Sequence, residues 1–465
     1  MSHSAAPGRR PRVLVIGLDS ADAVLIERWG AAGHLPVLTG LGREGVRGRL
    51  GTTAEVMHVS AWPTLYTGVD PGRHGMYHAY QIRAGEQEIH RAVASECGAA
   101  PYWKWLDDAG RRCIVLDAFM DYPLAGFRGI QIVDWGTWTW FTEAAREASP
   151  LVQDLRREVG DYPSPEHSDV VSVPDPVWFR DRLVAGAAAK ARAARWLLRE
   201  HAWDMAFVTF GEPHGAGHYL WHWHDPDFPW PRETRPAGLG DPLLEVYAAI
   251  DRAIGEILEE TDDRTTVLVV SGDGMGPNHS GCHQMPAILA AMGLHSAPHL
   301  RAPGEAAAPV GARAKGLLST VRGAIPLGLR QSISRCLPRR YRHALAMKWA
   351  NAAIDYGRSQ VFLVPNSNEA YLRLNLKGRE PLGMVERGAA SEEILARVRA
   401  EAEGLVVPAT GRTPTERVWL MDRTFPGPRR DDLPDLVVTW DHEARLMGEL
   451  RAPTAGLVTG AAAHQ

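Results

Sequence analysis

Short apolar runs rich in valine and isoleucine recur along this chain, and helix-like stretches separate them. The runs are RVLVIGLD (12–19), CIVLDAF (113–119), IQIVDW (130–135), MAFVTF (205–210) and TVLVVSGD (266–273). The intervening stretches 181–201 and 243–260 have the composition of helices. Buried strands that alternate with helices are typical of a mostly parallel sheet with helices on both faces. We therefore predict the α/β class, as an α/β/α sandwich with a mostly parallel central sheet.

Polar side chains follow three of these predicted strands, at the point where each strand ends. Asp19 follows VLVIGL, Glu212 and several histidines follow MAFVTF, and Asp273 follows TVLVVSG. In open parallel sheets, ligands bind outside the carboxyl ends of the strands. Segments that lie far apart in the sequence can therefore meet at one site.

The composition restricts the class of protein. A length of 465 residues suits one large domain with an insertion, and 45% hydrophobic with 23% charged residues is typical of a globular protein. A net charge of −4 argues against a general nucleic-acid-binding protein, because phosphate backbones need a basic surface. The four cysteines are widely spaced, which favours a reduced cytoplasmic protein over one held together by disulfides. The apolar run VLVIGL is too short for a signal peptide or for a membrane span of about 20 residues. We predict a cytoplasmic protein without a transmembrane segment.

The regions outside these strands complete the predicted organisation. We interpret residues 1–11 as a flexible tail and residues 12–465 as one catalytic domain. A stretch rich in arginine and lysine predicts a helical insertion or cap at about 295–352. This stretch is either a solvated basic face or a surface that attracts an anionic substrate or lipid. The segments 370–380 and 432–440 have the composition of further strands.

The stretch GEPHGAGHYLWHWHDP (211–226) holds four of the 19 histidines. His214, His218 and His222 are spaced by four, which places them on one face of a helix. Neutral imidazole is a common zinc ligand, and a pair one helical turn apart can share one ion. The alternative is a segment in which histidine and tryptophan rings pack by stacking.

A second group of candidate metal ligands lies in SGDGMGPNHSGCH (271–283), a glycine-rich loop after a predicted strand. It offers Asp273, His279 and His283, and carboxylate with imidazole suits Zn²⁺ or Mn²⁺. Asp19, at the end of the first strand, adds a carboxylate to the same edge. Three strand ends with the same chemistry predict a metal site there.

The segment HVSAWPTLYTGVDPGRHGMYHAY (58–80) supplies a candidate nucleophile. Ser60 can occupy a helix N-cap, with Pro63 tolerated in the first turn. A hydroxyl at a helix N-terminus near a cation is well placed to attack phosphorus, and the backbone N–H groups there bind phosphate oxygens. The alternative is that Ser60 only caps the helix.

Taken together, these motifs resemble the alkaline phosphatase superfamily, and within it the bacterial type I phosphodiesterase/nucleotide pyrophosphatase group. The resemblance runs from VLVIGLDSAD through AWPTLYTGVDPGRHGMY, FGEPHGAGHYLWHWHDP and VLVVSGDGMGPNHSGCH to LRLNLKGREPLGMV and DLPDLVVTW. It implies a site with two metal ions, usually zinc, and a threonine or serine nucleophile that forms a covalent phospho-enzyme.

Several residues match the family's metal ligands. Asp19 matches the aspartate of the first strand, His218 the histidine of the D-x-x-G-H motif, and His283 the late histidine. His214 falls where the family usually has aspartate. The resemblance therefore implies one ion among three histidines, an ordinary zinc arrangement.

The second implied metal site departs from the family pattern. The family's S-D-H-G-M reads here as Ser271 to Met275, so that Gly272 replaces the aspartate and Asp273 replaces the histidine. Asp19 and Asp273 remain as ligands. The missing ligand is supplied by Glu212, His58 or His279, or the second ion binds weakly. We thus predict one or two zinc ions, with manganese as the alternative.

The family nucleophile also has no direct match. Counting back from the TG pair at 67–68 places it on His58, whereas the nearest hydroxyl is Ser60. A phosphohistidine, attack by water, and a shift that brings Ser60 into the site all remain open. We favour Ser60, with His58 as metal ligand or alternative nucleophile. His74 matches a common family position and is a candidate for substrate binding, with shaping of its loop as the alternative. Lys377 and Arg379 are candidates for the substrate phosphate, and the alternative is that they pair with surface carboxylates.

The resulting prediction is a metal-dependent enzyme that hydrolyses a phosphodiester or nucleotide pyrophosphate bond in a small phosphate-containing substrate. The first alternative is a phosphonate or phosphomonoester hydrolase, or a phosphotransferase, on the same scaffold. The second is a degenerate member that binds an anion without turnover, which the replacement at Gly272 favours.

Overall fold

The computed structural model describes residues 11–136, 150–163, 175–228, 234–297, 339–366, 368–446 and 448–459. Most of the predicted insertion at about 295–352 therefore lies outside the described residues. The predicted tail lies outside them as well, apart from Pro11.

The strands form a central sheet, a second sheet and two short hairpins. Their bounds are β1 Arg12–Leu18, β2 Tyr80–Gln81, β3 His90–Arg91, β4 Cys113–Leu116, β5 Ile130–Ile132, β6 Met205–Phe210, β7 Thr265–Val270, β8 Val361–Val364, β9 Ala370–Leu374, β10 Thr415–Leu420, β11 Leu436–Trp440, β12 Glu449–Ala452 and β13 Gly456–Thr459.

The α-helices occur between and after these strands. Their bounds are α1 Ala23–Ala31, α2 Pro36–Glu44, α3 Ala61–Thr67, α4 Pro71–His74, α5 Tyr102–Asp108, α6 Pro150–Val159, α7 Pro176–Glu200, α8 Glu212–His224, α9 Pro242–Leu258, α10 Met285–Ala291, α11 Arg339–Ala352, α12 Ala389–Glu403 and α13 Met421–Thr424.

The central sheet is parallel, with strand order β5-β4-β6-β1-β7. β1 lies in its interior and pairs with β6 on one side and β7 on the other. The backbone N–H of Asp19 donates to the carbonyl oxygen of Phe210 (2.9 Å), so the ladder continues to the residue after β1. The carboxyl ends of β6, β1 and β7 are consequently neighbours at one edge of the sheet.

Helices cover both faces of this sheet. On one face, Leu14 and Ile16 of β1 lie in a buried core with apolar residues of α7, α8 and α9. On the other face, Val15 packs with Trp62 of α3 and Trp103 of α5. Alternate residues of one strand thus face opposite helix layers. The predicted α/β class with a mostly parallel sheet between helices is confirmed.

The second sheet is antiparallel, with strand order β10-β11-β9-β8. One of its faces packs against α10 and α12. Its other face places Tyr371 and Phe362 in a core with Val56 and Met57. The core that contains Tyr371 and Met57 holds the segment before α3 against β9. It thereby joins the second sheet to the central sheet next to the carboxyl edge of the central sheet.

The predicted strands and helices correspond to observed elements with small shifts in their bounds. The predicted strands at 113–119 and 130–135 are shorter, Cys113–Leu116 and Ile130–Ile132, because the chain turns at Asp117 and Asp134, which have positive φ values. No helix among the described residues combines the length and apolar character that a membrane span requires.

Candidate active site

Asp19 is a buried carboxylate at the end of β1. Its Oδ1 accepts a hydrogen bond from the indole Nε1 of Trp62 (2.7 Å), and its Oδ2 lies 2.8 Å from Nδ1 of His214. The indole reaches Asp19 because position 17 is glycine: a Cβ on Gly17 would lie 2.7 Å from the Trp62 ring. Both oxygens of Asp19 are therefore oriented by neighbouring side chains.

His214 and His218 lie one turn apart on α8. The helix begins at Glu212 directly after β6, so the four-residue spacing places both imidazoles on one face in spite of the two glycines between them. Their Nε2 atoms are 2.8 Å apart. Burial, followed by the nearby rings of His214 and His58, lowers the pKa of His218 well below its usual value.

Asp273 reaches the same place from the loop after β7. Its Oδ1 accepts from the backbone N–H of Ser20 and its Oδ2 from the Ser20 hydroxyl, both at 3.2 Å. Ser20 has a φ of +53°, an uncommon value for a residue other than glycine, and such strain often occurs at functional sites. Burial first, and then the charge of Asp19, raises the pKa of Asp273 to about 6.

His58 begins the short helix His58–Ser60, directly before α3, and Glu369 holds its ring. Nδ1 of His58 lies 3.0 Å from Oε2 of Glu369, which also accepts from the side-chain amide of Asn366 (2.8 Å). Burial alone would lower the pKa of His58, but Glu369, and more weakly Asp273 and Asp19, raise it. Burial alone would likewise raise the pKa of Glu369, yet the interaction with His58 holds it at about 2.

Glu369 is the main residue that the sequence analysis missed. It directly precedes β9, in the segment NSNEAYLRL, and it lies 311 residues away from His58 in the sequence. No spacing or motif in that segment signals a functional carboxylate. Only its position at the start of a predicted strand could have drawn attention to it.

Ser60, the favoured nucleophile, is fully buried. It occupies the N-cap position of α3 without a capping hydrogen bond from its side chain. Its hydroxyl lies instead 2.6 Å from the carbonyl oxygen of Met57 and 2.8 Å from Oγ1 of Thr53. The structure thus directs the Ser60 hydroxyl back toward the segment that precedes it.

Three further predicted ligands lie on other elements of the fold. Glu212 is buried at the start of α8, where its Oε1 hydrogen-bonds the Tyr162 hydroxyl, and burial raises the pKa of its carboxyl. His279 is buried with Nδ1 3.2 Å from the carbonyl oxygen of Leu446. His283 lies in the short helix Cys282–Gln284 with an exposed side chain.

The predicted substrate-binding residues make contacts within the protein. His74 is fully buried; its Nδ1 accepts from the backbone N–H of Met76, and its Nε2 lies 3.0 Å from Oγ1 of Thr64. Burial lowers the pKa of His74 to about 3, so the ring is neutral. Lys377 is exposed and pairs with Glu386.

Arg379 is buried in a network of ion pairs in the second sheet. Its guanidinium donates to Glu380, to both carboxylate oxygens of Asp435 and to the carbonyl oxygen of Leu374, at 2.7–2.8 Å. Arg373, itself fully buried, shares Glu380 with it. Through these contacts, Arg379 links β9 to the segment before β11.

The donor chemistry of the cluster suits a divalent cation, although the side chains are not arranged around one point. Among the described residues, no group of three or more His, Cys, Asp or Glu side chains has the geometry of a metal site. Two ligands of one tetrahedral zinc, with bonds of about 2.0–2.1 Å, are about 3.4 Å apart, which exceeds the 2.8 Å between the His214 and His218 nitrogens. A shift of about half an ångström would accommodate an ion there. The buried carboxylate of Asp19 and the half-buried carboxylate of Asp273 would supply compensating charge.

The fold and this cluster define an α/β enzyme with a polar site of carboxylates and imidazoles at the carboxyl edge of its sheet. The sequence profile of the type I phosphodiesterase/nucleotide pyrophosphatase family matches residues 13–462. The chain therefore belongs to this family, as the motifs predicted. Membership makes it a phosphoester hydrolase.

Solved structures that match this chain include phosphonoacetate hydrolase from Sinorhizobium meliloti 1021 in complex with phosphonoacetate. It is 17% identical, and the match covers 94% of this chain and 83% of that one with a TM-score of 0.48. Another is murine ectonucleotide pyrophosphatase/phosphodiesterase 5, which is 13% identical over 92% of this chain and 79% of that one, with a TM-score of 0.39. No curated protein matches the sequence.

Proposed function

We propose that this protein is a divalent-metal-dependent phosphohydrolase that cleaves a phosphodiester or nucleotide pyrophosphate bond in a small substrate. The observation that carries the proposal is the hydrogen-bonded group Asp19, His214, His218, Ser20 and Asp273, which three adjacent strand ends of the central sheet bring together. Membership of the type I phosphodiesterase/nucleotide pyrophosphatase family supports the same activity.

In this proposal, Asp19, His214, His218 and Asp273 hold the metal, with His283 completing the histidine set. Zinc is the proposed ion, present once or twice, and manganese is the alternative, because both accept imidazole and carboxylate ligands. Such an ion, when bound, neutralises charge on the phosphoryl oxygens and stabilises the attacking and leaving oxygens. Glu212 and His279 hydrogen-bond with other protein groups in the structure. In this proposal they do not bind the metal but help to position the residues that do.

The residues around the ligands keep the ligands in position. Trp62 donates to Asp19, and Ser20 donates twice to Asp273, so each carboxylate presents a defined oxygen to the site. Residues that orient ligands in this way commonly affect metal affinity or activity by about 10–100-fold when they are replaced. We propose the same effect for Trp62→Phe, which keeps an aromatic side chain and removes the N–H donor.

We expect a preference for diesters over monoesters. A diester carries one negative charge at neutral pH and a monoester up to two, and the site already holds the carboxylates of Asp19, Asp273 and Glu369. With zinc present, kcat/KM for bis(p-nitrophenyl) phosphate should exceed that for p-nitrophenyl phosphate by at least about tenfold, which corresponds to about 1.4 kcal/mol. The release of p-nitrophenolate measures both reactions.

Two controls define the substrate class. Phenylphosphonate mono(p-nitrophenyl) ester tests the phosphonate alternative with the same leaving group, and p-nitrophenyl sulfate tests whether phosphorus is required. Faster turnover of the monoester or of the phosphonate ester than of the diester would contradict the proposed preference and favour the alternative hydrolase.

A further inference from the structure

We propose that His58 accepts the phosphoryl group during turnover and that Glu369 positions it for this step. The inference rests on the proposed phosphohydrolase function, which it deepens by naming the nucleophile. It depends on the contact between two side chains that are far apart in the sequence: His58 begins the short helix before α3, and Glu369 directly precedes β9.

Accessibility distinguishes the two candidate nucleophiles of this segment. The His58 side chain is 26% exposed, whereas Ser60 is fully buried. The Ser60 hydroxyl also hydrogen-bonds with Met57 and Thr53. Its release would require a rearrangement of the short helix His58–Ser60. Of these two residues, His58 is the one that a substrate can reach without a change in the backbone.

The contact with Glu369 selects the tautomer that a nucleophilic imidazole requires. Glu369 is ionised, because its pKa is held low, and a carboxylate can only accept a hydrogen bond. Nδ1 of His58 therefore carries the proton that Glu369 accepts over 3.0 Å. The neighbouring carboxylates raise the pKa of His58, so Nε2 has a free lone pair only above that pKa, where the ring is neutral. Asn366 donates to the same carboxylate and so fixes its orientation.

The surroundings of His58 connect it to the proposed metal ligands. The segment that carries His58 lies beside these ligands: Trp62, four residues later, donates to Asp19 (2.7 Å), and a Cβ on Gly272 would lie 3.0 Å from Cβ of Ala61. The ring of His78 lies edge-on to the ring of His58, with ring centroids 5.8 Å apart. A phosphoryl group held by the proposed ligands would thus lie beside the imidazole of His58.

With bis(p-nitrophenyl) phosphate as substrate, the proposed reaction has two steps, transfer to His58 and hydrolysis by water. The Nε2 lone pair forms a bond to phosphorus while the bond from phosphorus to one p-nitrophenolate oxygen breaks, and the leaving group takes that electron pair. Glu369 stabilises the positive charge on the ring through the Nδ1 proton. Water then forms an oxygen–phosphorus bond, the nitrogen–phosphorus bond breaks with its electrons returning to Nε2, and the proton of water passes to solvent. The products are p-nitrophenyl phosphate and unchanged enzyme.

The chemical stability of the trapped intermediate tests the proposal on the wild-type protein. Zinc-loaded enzyme is mixed with radiolabelled bis(p-nitrophenyl) phosphate and quenched rapidly in base, and the label on protein is counted after acid or base treatment. A phosphorus–nitrogen bond to histidine is lost in acid and survives base, whereas a serine ester behaves in the opposite way. We expect an acid-labile, base-stable label that maps to the peptide with His58 and is absent from His58→Gln.

The outcomes separate this inference from the proposed function. Hydrolysis with a base-labile label on Ser60, or hydrolysis with no label on the protein at any quench time, would overturn the role of His58 and leave the phosphohydrolase intact. Failure of the wild-type enzyme to release p-nitrophenolate would overturn the proposed function and this inference with it.

The positioning role of Glu369 has its own variant. Glu369→Gln keeps the size and an acceptor oxygen but loses the charge, and we expect label formation and kcat to fall by about 10–100-fold with little change in KM. Glu86→Gln is the matched control, because Glu86 also contacts a histidine Nδ1, that of His90, at 2.9 Å in an exposed position. Equal loss in both variants, or a change in KM alone for Glu369→Gln, would contradict positioning by Glu369.

Discussion

Replacing His218 by alanine is expected to lower kcat/KM for bis(p-nitrophenyl) phosphate by more than about 100-fold and to weaken zinc binding. Even residues that only orient metal ligands cost about 10–100-fold when they are replaced, so loss of a ligand should cost more. His218 is half-buried on α8 with its Nε2 toward His214, and alanine removes that nitrogen without adding bulk. Steady-state kinetics and zinc titration by calorimetry measure the two effects.

The neighbouring turn of the same helix supplies the matched control. His222 follows His218 by four residues, but its ring packs against Trp223 and Phe228. His222→Ala therefore removes an imidazole from the same helix, and we expect kcat/KM and zinc affinity to change less than about threefold. If His218→Ala retained both activity and zinc affinity, the assignment of His218 as a ligand would be wrong.

Replacing Lys190 by methionine is expected to lower the free energy of unfolding by about 3–5 kcal/mol, because it leaves an uncompensated buried charge. Lys190 and Asp117 form an ion pair in which both side chains are fully buried. The ammonium group also lies 5.4 Å and 5.5 Å from the ring centroids of Trp135 and Tyr162. Methionine fills a similar volume but cannot balance the Asp117 carboxylate, which accepts two backbone N–H groups as well. Urea denaturation followed by tryptophan fluorescence measures the change.

An exposed ion pair provides the comparison for this effect. Lys104 pairs with Asp108 one turn later on α5, and the Asp108 side chain is 60% exposed. Surface pairs of this kind contribute about 0–1 kcal/mol, so Lys104→Met should change stability by no more than that. A loss for Lys190→Met as small as that for Lys104→Met would show that the buried pair does not stabilise this region.

The central sheet could be predicted because each strand is a nearly continuous apolar run and the connections are helical. That pattern also located the site residues that directly follow β1, β6 and β7, since parallel strands end at a common edge. The four-residue spacing of His214 and His218 predicted their shared helix face, which the structure has. These features depend on local sequence and on general rules of sheet topology.

The remaining features depend on contacts between distant segments. Glu369 reaches His58 only because the second sheet packs on Val56 and Met57, and no local pattern encodes that packing. The inward orientation of the Ser60 hydroxyl likewise follows from the positions of Thr53 and Met57. Arg379 was a candidate for the substrate phosphate, yet it is buried in ion pairs with Glu380 and with Asp435, which lies 56 residues further along the chain.

Metal-dependent turnover is the central claim, and the most direct test is the hydrolysis of bis(p-nitrophenyl) phosphate by chelator-stripped protein before and after addition of Zn²⁺ or Mn²⁺. We expect little release of p-nitrophenolate from the stripped protein and recovery of the full rate with one of the two ions. Turnover that is undiminished by stripping, or no turnover with either ion despite tight metal binding, would contradict this claim.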